Sequence, residues 1–501
     1  MSQDQKRPFR VVVVGAGIVG LSLSHCLQLA GIDHVVLEKH DKVVSVQGAA
    51  LIIWPQVARI FDQFGILKRI HETTVPVCRE RRRWPDGTIN HTGKTVQTMS
   101  KNFDMPSIIF DRQRCVEHLY DGLPDKSYVR TSAKVDRVEH TESGIRVVTT
   151  DGRVEEGDIV IGSDGVHSTI RQQMWDHAAK DDPSAVPETD KNCFSTDFGG
   201  LFGVSDLTED LKLLDSESNV TFGHGHTEML FTQPGKAYWA IIFKDDHHKP
   251  PVRRDGSEQA MEALVEQYGD VPLTDHIKLK QLWKQRSRAG LLNIEEGMLE
   301  KWHSGRFVLV GDSAHKASLT YHLPLCLVIH TDPPKMTADL GLGANIAIEG
   351  AVTLCNILNR ETKSDKHRHF TTAELSALFT EYQAARYVRA KAFTDLSGKA
   401  TRMNSYQTYF GRFMTGYVAP WLAPIQLRKL SEAFAKGPKL DYVPTRTINE
   451  DAPGWKLGEK KEAEGASAVK YLVAAAAGGV AVSYLLMQRV EGRAWRFGMT
   501  F

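Results

Sequence analysis

The sequence predicts an α/β fold with a first domain built on a parallel sheet, a second domain built on an antiparallel sheet, and an apolar helix near the C-terminus. Three patterns support this prediction. A β-branched run, Phe9–Val14, leads directly into a glycine-rich turn and then a helical pattern. Short strand patterns fill residues 185–300, and long helical patterns follow from Asn345 to Arg360 and from Thr372 to Lys399.

The composition is that of a globular protein, and 501 residues are enough for two or three domains. The net charge of +1 gives no electrostatic reason to expect nucleic acid as a partner. Six scattered cysteines without a C-x-x-C pair indicate a reducing compartment rather than a disulfide framework. The polar N-terminus, Met1 to Arg10, does not resemble a secretory signal.

The first strand, the glycine turn and the first helix continue into a second strand, His34–Leu37, which ends at Glu38. Gly15 permits a tight turn, Gly17 lets a pyrophosphate approach the backbone, and Gly20 lets helix and strand pack closely. The helix N-terminus can hold the phosphates. Glu38 is placed to accept hydrogen bonds from ribose hydroxyls. This βαβ unit predicts a Rossmann-like dinucleotide site but does not separate FAD from NAD.

Two later segments make that distinction. Ile159–Arg171 contains a Ser-Asp-Gly step after a buried strand, and Val308–His315 contains a Gly-Asp step after another. With the glycine turn and these segments in this order, the sequence resembles the flavoprotein aromatic-hydroxylase class, the group A flavin monooxygenases. It is similar in particular to the fungal FAD-dependent monooxygenases of meroterpenoid and indole-diterpene biosynthesis, the paxilline-epoxidase-like family. The resemblance covers nearly the whole chain and includes Gly437–Pro444.

The cofactor-binding residues that the resemblance implies are Gly15, Gly17, Gly20, Glu38, Ile52, Arg112, Asp164, Gly165, Asp312, Gly341, Gly343, Ala344 and Asn345. The first four would hold the ADP half of FAD, and Arg112 would contact the flavin. Asp164 and its neighbour would touch both FAD and the nicotinamide nucleotide, and Asp312 would bind the ribityl chain. The last four form the turn into a helix whose N-terminal dipole favours an anionic reduced flavin. The plain alternatives are a β-turn for Asp164 and a helix N-cap for Asp312.

The sequence departs from the family pattern at three places. Nineteen residues, 317–335, separate the His315-Lys316 step from a Met-Thr step that the family joins directly to it. An apolar insertion beside the flavin would expose surface or block the ring, so we expect a translated intron or another lesion, which sequencing of the transcript would test. Ala338 stands where the family normally has proline, and Ile52 where it often has glycine, with a contact through the backbone.

The C-terminal run Tyr471–Met487 contains no charged residue. With its flanks it approaches the roughly 20 residues needed to span a bilayer, whereas a buried Ala-rich helix is the alternative. We expect a single-pass anchor in the endoplasmic reticulum membrane with a cytosolic catalytic part. The predicted domains are the two parts of the FAD-binding domain at 7–180 and 301–400, the substrate domain at 181–300, a helical extension at 401–455, a linker at 456–466 and the transmembrane anchor at 467–488.

Other candidates have plainer interpretations. Asp245–His248 resembles a metal-binding cluster, but a solvated turn rich in lysine and proline is preferred. Arg79–Arg83 is interpreted as the polar face of an edge strand rather than as a phosphate site. Tyr238 and Trp239 either line an apolar pocket or pack in the core.

As the resemblance implies, NADPH reduces FAD, and one atom of O2 passes to an apolar small-molecule substrate. The resemblance also implies epoxidation of a prenyl double bond in secondary metabolite biosynthesis. This reaction needs no strong side-chain base, which fits the lack of an obvious catalytic His/Asp pair. A hydroxylase of an aromatic ring shares every motif, and a prenyl reductase would use the same fold. A halogenase motif is absent, and Cys26 lacks the neighbouring cysteine of a disulfide reductase. The insertion also leaves open an inactive membrane-anchored remnant.

Overall fold

A computed structural model describes residues 7–44, 50–249, 254–316, 341–404, 412, 416–417 and 419–458. The expected insertion 317–335, Ala338 and the expected anchor 467–488 lie outside the described residues. No helix within the described ranges is long and apolar enough to cross a membrane.

The described strands, in chain order, are β1 (Arg10–Val14), β2 (Asp33–Leu37), β3 (Ala50–Ile53), β4 (Arg79–Arg83), β5 (Ile89–Gly93), β6 (Ile108–Asp111), β7 (Val129–Arg130), β8 (Val135–His140), β9 (Ile145–Thr149), β10 (Val154–Gly157), β11 (Ile159–Gly162), β12 (Thr196–Asp206), β13 (Glu217–Phe222), β14 (His226–Gln233), β15 (Lys236–His248), β16 (Arg286–Asn293), β17 (Gly297–Met298), β18 (His303–Ser304), β19 (Phe307–Leu309) and β20 (His315–Lys316). The described helices are α1 (Ile18–Ala30), α2 (Pro55–Phe64), α3 (Leu67–Glu72), α4 (Thr95–Phe103), α5 (Arg112–Asp121), α6 (Thr169–Asp181), α7 (Glu188–Lys191), α8 (Glu258–Tyr268), α9 (Leu279–Lys284), α10 (Leu342–Thr362), α11 (Thr372–Asn404), α12 (Ala419–Ala435) and α13 (Pro453–Lys456).

The first sheet has the strand order β18-β19-β11-β1-β2-β7, and only β18 runs antiparallel to its neighbour. Val11, Val12 and Val13 of β1 are fully buried, as expected for a central strand covered on both faces. The chain moves from β1 to β2 on one side and later returns to β11 on the other. The strand order therefore reverses between β1 and β11, and ligands of open α/β sheets bind at such a point.

The second sheet has the order β16-β12-β15-β14-β13-β4-β5, and its pairs are antiparallel except for β13 with β4. Its side chains alternate between two cores. Tyr238 and Ala240 of β15 face the main core, which also contains the first sheet. Trp239 and Ile241 face a smaller core formed with α8 and α9, which we call the outer core. The sheet therefore turns one face toward the first sheet and keeps the other under its own helices.

Several details correct the sequence-based expectations. The helical sequence pattern over Gln56–Ile70 predicts one helix but forms two, because Gly65 adopts the left-handed conformation (φ 80°) that ends α2. Asp245–His248 is not a turn but the end of β15, and Arg79–Arg83 is β4, which lies one strand inside the sheet edge. The predicted domain boundaries stay predictions, although β4 and β5 join the second sheet from well before residue 181.

Candidate active site

Four predicted site segments lie at one edge of the first sheet. The glycine turn follows β1, Glu38 follows β2, Asp164 follows β11, and Asp312 follows β19. These strands are parallel neighbours, so their carboxyl ends meet at the same edge. We call the glycine turn, which begins at Gly15, together with Glu38, Asp164 and Asp312 the strand-end edge.

The glycine turn is shaped by its neighbours. Gly15 has φ 102°, which favours glycine, and its N–H donates to the Leu37 carbonyl at 2.8 Å. A Cβ at Gly20 would lie 1.8 Å from the Gly15 carbonyl oxygen, so helix α1 could not pack there with any side chain. A Cβ at Gly17 would meet nothing within 4 Å. The turn therefore needs two glycines for its own packing and leaves the third open toward a ligand.

The Glu38 carboxylate accepts a hydrogen bond from the Ala16 N–H at 2.8 Å, which ties the end of β2 to the glycine turn. Its other oxygen accepts from the His40 N–H at 3.0 Å and lies 2.6 Å from His40 Nδ1. A carboxylate offers about four acceptor positions, so one position stays available for a ribose hydroxyl. Sequence reasoning missed His40, because only its position two residues after Glu38 could have indicated it.

Ser163 closes the crevice between β1 and β11. Its hydroxyl lies 2.8 Å from the Val14 carbonyl and 3.1 Å from the Gly15 carbonyl, both of which accept. A Cβ at Gly15 would lie 2.7 Å from the Ser163 carbonyl oxygen. The two loops at the point of strand reversal are therefore in direct contact.

Asp164 has its hydrogen-bonding capacity filled by the protein. One oxygen accepts from the hydroxyls of Ser168 at 2.5 Å and Ser313 at 3.2 Å. The other accepts from the N–H groups of Thr169 and Ile170 at the start of α6. Its side chain thus caps a helix and joins two loops, so a contact with FAD or a nicotinamide nucleotide at this segment would come from the backbone.

Gly165 and Ser313 complete that connection. Gly165 has φ 83°, its N–H donates to the Ser313 hydroxyl at 3.2 Å, and a Cβ there would meet nothing within 4 Å. Arg171 donates to the Ser313 carbonyl at 3.1 Å, and burial lowers the pKa of its guanidinium. The sequence-based interpretation missed Ser163, Ser313 and Arg171, because it assigned the motifs to their acids.

Asp312 contrasts with Asp164. It lies in the 3₁₀ turn Gly311–Ser313, is half-buried, and forms no hydrogen bond or ion pair with any residue that the structure describes. The N-cap alternative is wrong, because Val310 occupies that position. A Cβ at Gly311 would lie 2.9 Å from Val19 and 3.1 Å from Ala347, so this turn fits between α1 and α10. This packing fixes the backbone of Asp312, and its carboxylate oxygens stay available to a ligand.

The start of α10 is joined to the segment that contains Ile52. Asn345 donates to the Ile52 carbonyl at 2.9 Å and to the Gly341 carbonyl at 3.1 Å, and accepts from the Trp54 N–H at 3.1 Å. Gly341 precedes the helix in the left-handed conformation (φ 58°) and provides no side-chain cap. Gly343 and Ala344 are half-buried in the first turn. The N-terminus of a 21-residue helix therefore offers N–H groups and a positive dipole end to a ligand.

Arg112 begins α5 immediately after β6, which pairs with β3. It is half-buried and has no ion pair among the residues described here, so its guanidinium stays available to a ligand. Its neighbour Asp111 caps α5 through the Gln113 N–H at 2.8 Å and pairs with Arg288 of β16 at 2.5 Å. Arg288 thereby joins the second sheet to the helix that presents Arg112, and sequence reasoning gave no signal for it.

These features suit FAD. The strand-end edge offers an open glycine at a helix N-terminus and a free carboxylate at Asp312, and the segment beyond it offers the free guanidinium of Arg112. Together they match a pyrophosphate, a ribityl chain and a flavin.

Residues 9–321 match the family of proteins with an FAD binding domain. The FAD-dependent monooxygenase ausM of Penicillium brasilianum is 33% identical to this chain over 88% of each protein. The FAD-dependent monooxygenase ausM of Emericella nidulans is 32% identical over 94% of each. The crystal structure of Klebsiella pneumoniae HpxO complexed with FAD and uric acid has a TM-score of 0.66 at 19% identity, covering 87% of this chain and 100% of that one.

This chain belongs to the FAD-binding-domain family. It is an FAD-dependent monooxygenase and hence an oxidoreductase, as its similarity to ausM over most of both chains shows. The group A prediction is confirmed at this level, whereas membership of the paxilline-epoxidase-like branch stays a prediction.

The remaining candidates of this monooxygenase have structural roles. His247 pairs with Asp197 at 2.7 Å and Asp245 with Arg254, and no group of metal ligands occurs among the described residues. Arg83 is fully buried and pairs with Asp275 at 2.6 Å. Trp239 packs in the outer core, where its indole N–H donates to Ser205.

Tyr238 is different from Trp239, because it faces the main core beside the FAD-binding segments. Burial and the nearby charge of Asp111 raise the pKa of its phenol to about 12. The hydroxyl therefore stays protonated and can donate a hydrogen bond at any physiological pH.

Proposed function

We propose that this monooxygenase uses NADPH and O2 to epoxidise a prenyl double bond of a meroterpenoid or indole-diterpene intermediate. The observation that carries the proposal is an apolar face on the second sheet beside Arg288. Strand register aligns the rows of this face, which we call the apolar face and define as Phe202, Met229, Ala240, Gly290 and Leu292.

The apolar face lies next to the segment that presents Arg112. Arg288 stands opposite Val204 in the register, and the next row places Gly290 opposite Phe202. A Cβ at Gly290 would meet nothing within 4 Å, and Leu292 is 46% exposed. This open space beside an exposed apolar side chain supports a substrate that binds by apolar contact rather than by charge.

The residues of this chain have to bind the substrate, orient it and exclude water from the site. When bound and reduced by NADPH, FAD supplies the chemistry that activates O2 and transfers one oxygen atom. The apolar face would orient an alkene by shape and keep water from the reacting centre. The Tyr238 phenol can donate a hydrogen bond to an oxygen atom but cannot act as a base near neutral pH. Epoxidation fits this set, because it needs no proton abstraction from carbon.

A membrane anchor would suit such a substrate. Residues 467–488 contain an apolar run of about the length that spans a bilayer, and the substrate class partitions into lipid. We place the anchor in the endoplasmic reticulum membrane with the catalytic part in the cytosol as part of the same proposal.

The test is the fate of isotopically labelled O2. Holoenzyme in detergent is given NADPH and a farnesylated phenol under the labelled gas, and the product is analysed by mass spectrometry. We expect one labelled oxygen in an epoxide on the prenyl chain. A labelled phenolic hydroxyl would replace the proposal by the aromatic-hydroxylase alternative. If NADPH is consumed but no labelled oxygen enters the farnesylated phenol, both epoxidation and aromatic hydroxylation are rejected for this substrate class.

A further inference from the structure

We propose that an exposed aromatic surface at the start of α12 docks the catalytic part of this enzyme on the surface of a lipid bilayer. The aromatic surface consists of Trp84, Ile89, Tyr417 and Trp421. The proposal rests on the membrane anchor of the proposed function and adds a second point of contact, outside the FAD site.

The aromatic surface combines two parts of the fold. Trp421 is 86% exposed, Tyr417 63% and Ile89 45%. The rings of Trp84 and Tyr417 have centroids 5.7 Å apart, and a Cβ at Gly416 would lie 2.2 Å from the Trp84 ring. The turn after β4 is therefore packed tightly against the segment before α12. Trp421 comes four positions after Tyr417, so their Cα atoms are within about 14 Å of each other.

The exposed residues follow a helical spacing. Within α12, Trp421, Pro424 and Arg428 are exposed at intervals of three and four residues, so they share one face of the helix. The opposite face of α12 is buried, with Phe434 among its core residues. An outward helical face normally carries charges, but here charge begins only at Arg428, after the aromatic part. Tryptophan and tyrosine side chains favour the headgroup region of a bilayer.

A cation lies against the aromatic surface. The Arg412 guanidinium lies over the Trp84 ring, 5.5 Å from its centroid. A cation beside an indole can pair with a lipid phosphate while the ring lies among the headgroups.

The end of the described chain points to a bilayer rather than to another protein. A Cβ at Gly458 would lie 3.1 Å from the Ala435 Cβ, so Gly458 lies beside the C-terminal end of α12. Eight residues, 459–466, then precede the expected anchor and can reach at most about 29 Å. Helix α12 spans about 25 Å. The tether is therefore long enough for the opposite end of α12 to touch the same bilayer.

Fluorescence quenching by lipid tests the proposal directly. The full chain is reconstituted in phosphatidylcholine vesicles with or without brominated acyl chains, and vesicle-bound protein is isolated by flotation. The emission of the nine tryptophans is compared for the unsubstituted protein, Trp421→Phe and the matched control Trp283→Phe, whose site lies in the outer core. If Trp84, Trp421 and Trp495 share the quenching, Trp421→Phe should lose about a third of it, because only bilayer-facing indoles are quenched.

The outcomes are distinguishable. Equal quenching in the unsubstituted protein and Trp421→Phe, with all proteins floating, would overturn the aromatic surface but leave the anchor. A drop of the same size in Trp283→Phe would also overturn it. Protein that stays at the bottom of the gradient would reject both the anchor and the docking surface. A dimer that buries Trp421 would leave it unquenched and count against the proposal.

Discussion

The strand-end edge of the first sheet and the apolar face of the second sheet differ in how they are made. The strand-end edge consists of loop residues that are each close in sequence to a strand end, and its groups are charges, N–H groups and bare glycines. The apolar face consists of side chains from β12, β14, β15 and β16, which only register brings together. Recognition of the cofactor is therefore local in sequence, and recognition of the substrate is a property of the assembled sheet.

The largest expected effect is at the glycine turn, where Gly20 is needed for packing and Gly17 for the approach of a ligand. Gly20→Ala should lower the free energy of unfolding of the apoprotein by at least about 3 kcal/mol, because its Cβ would collide with the Gly15 carbonyl. Gly17→Ala should change it by less than about 0.5 kcal/mol yet weaken FAD binding, because the methyl group occupies open space at the pyrophosphate position. Thermal unfolding of the apoproteins and titration with FAD measure the two effects. Equal destabilisation by both would contradict the assignment.

Acid should weaken the first sheet before the second. Burial lowers the pKa of His25 and of His34 to about 4, below the value near 6.5 of an unfolded chain. The unfolded state therefore binds protons more readily than the folded state. The free energy of unfolding is highest above pH 6.5 and falls as the pH drops toward 4. The loss is up to about 3 kcal/mol for each histidine. Flavin release and tryptophan emission are followed against pH.

The control for acid sensitivity is His34→Gln, which cannot gain a proton. We expect its stability to fall less steeply over the same pH window. If the unsubstituted protein and this variant lose stability in parallel, His34 is not a source of the pH dependence.

The two acids at neighbouring strand ends should respond differently to the same substitution. Asp312→Asn should weaken FAD binding roughly 10- to 100-fold, the equivalent of about 1.5–3 kcal/mol for a charged hydrogen bond, without destabilising the apoprotein. Asp164→Asn should instead destabilise the apoprotein by about 1–3 kcal/mol, because four donors lose a charged acceptor. FAD titration and chemical unfolding give both values. An Asp312→Asn protein with unchanged FAD affinity would remove this residue from the site.

The smallest effect concerns the apolar face. Phe202→Ala should weaken binding of a farnesylated phenol to the holoenzyme about tenfold, because roughly 1.5 kcal/mol of apolar contact is lost. FAD affinity should not change. The matched control is Leu201→Ala on the same strand, which faces the outer core and should cost about 2–5 kcal/mol of stability without a specific effect on the phenol. Equilibrium dialysis measures both, and an unchanged affinity in Phe202→Ala would place the substrate elsewhere.

The sequence was sufficient for the strand-end edge, because a glycine turn and an acid after a buried strand are local patterns with a local physical cause. It identified Asp164 and Asp312 together, but it could not tell which one is free. That difference depends on Ser168, Ser313 and the start of α6, whose approach is a matter of tertiary structure.

Other features were beyond sequence reasoning for the same reason. Arg288 pairs with Asp111 across 177 positions of the chain, and no periodicity marks such a contact. Gly65 ends α2 inside an otherwise continuous helical pattern, where one glycine alone does not distinguish a break from a tolerated residue. The exposure of Trp421 was also beyond sequence reasoning, because tryptophan side chains are on average highly buried.

The central claim is that the strand-end edge holds FAD, and the most direct test is the visible absorption of the protein after FAD is added and the unbound cofactor is removed. The full chain, purified in detergent, is compared with a variant that lacks residues 317–335. The account predicts that the shortened protein retains the absorption of oxidised flavin, and retention by the full chain as well would make 317–335 a tolerated loop. If neither protein retains flavin, the central claim is wrong.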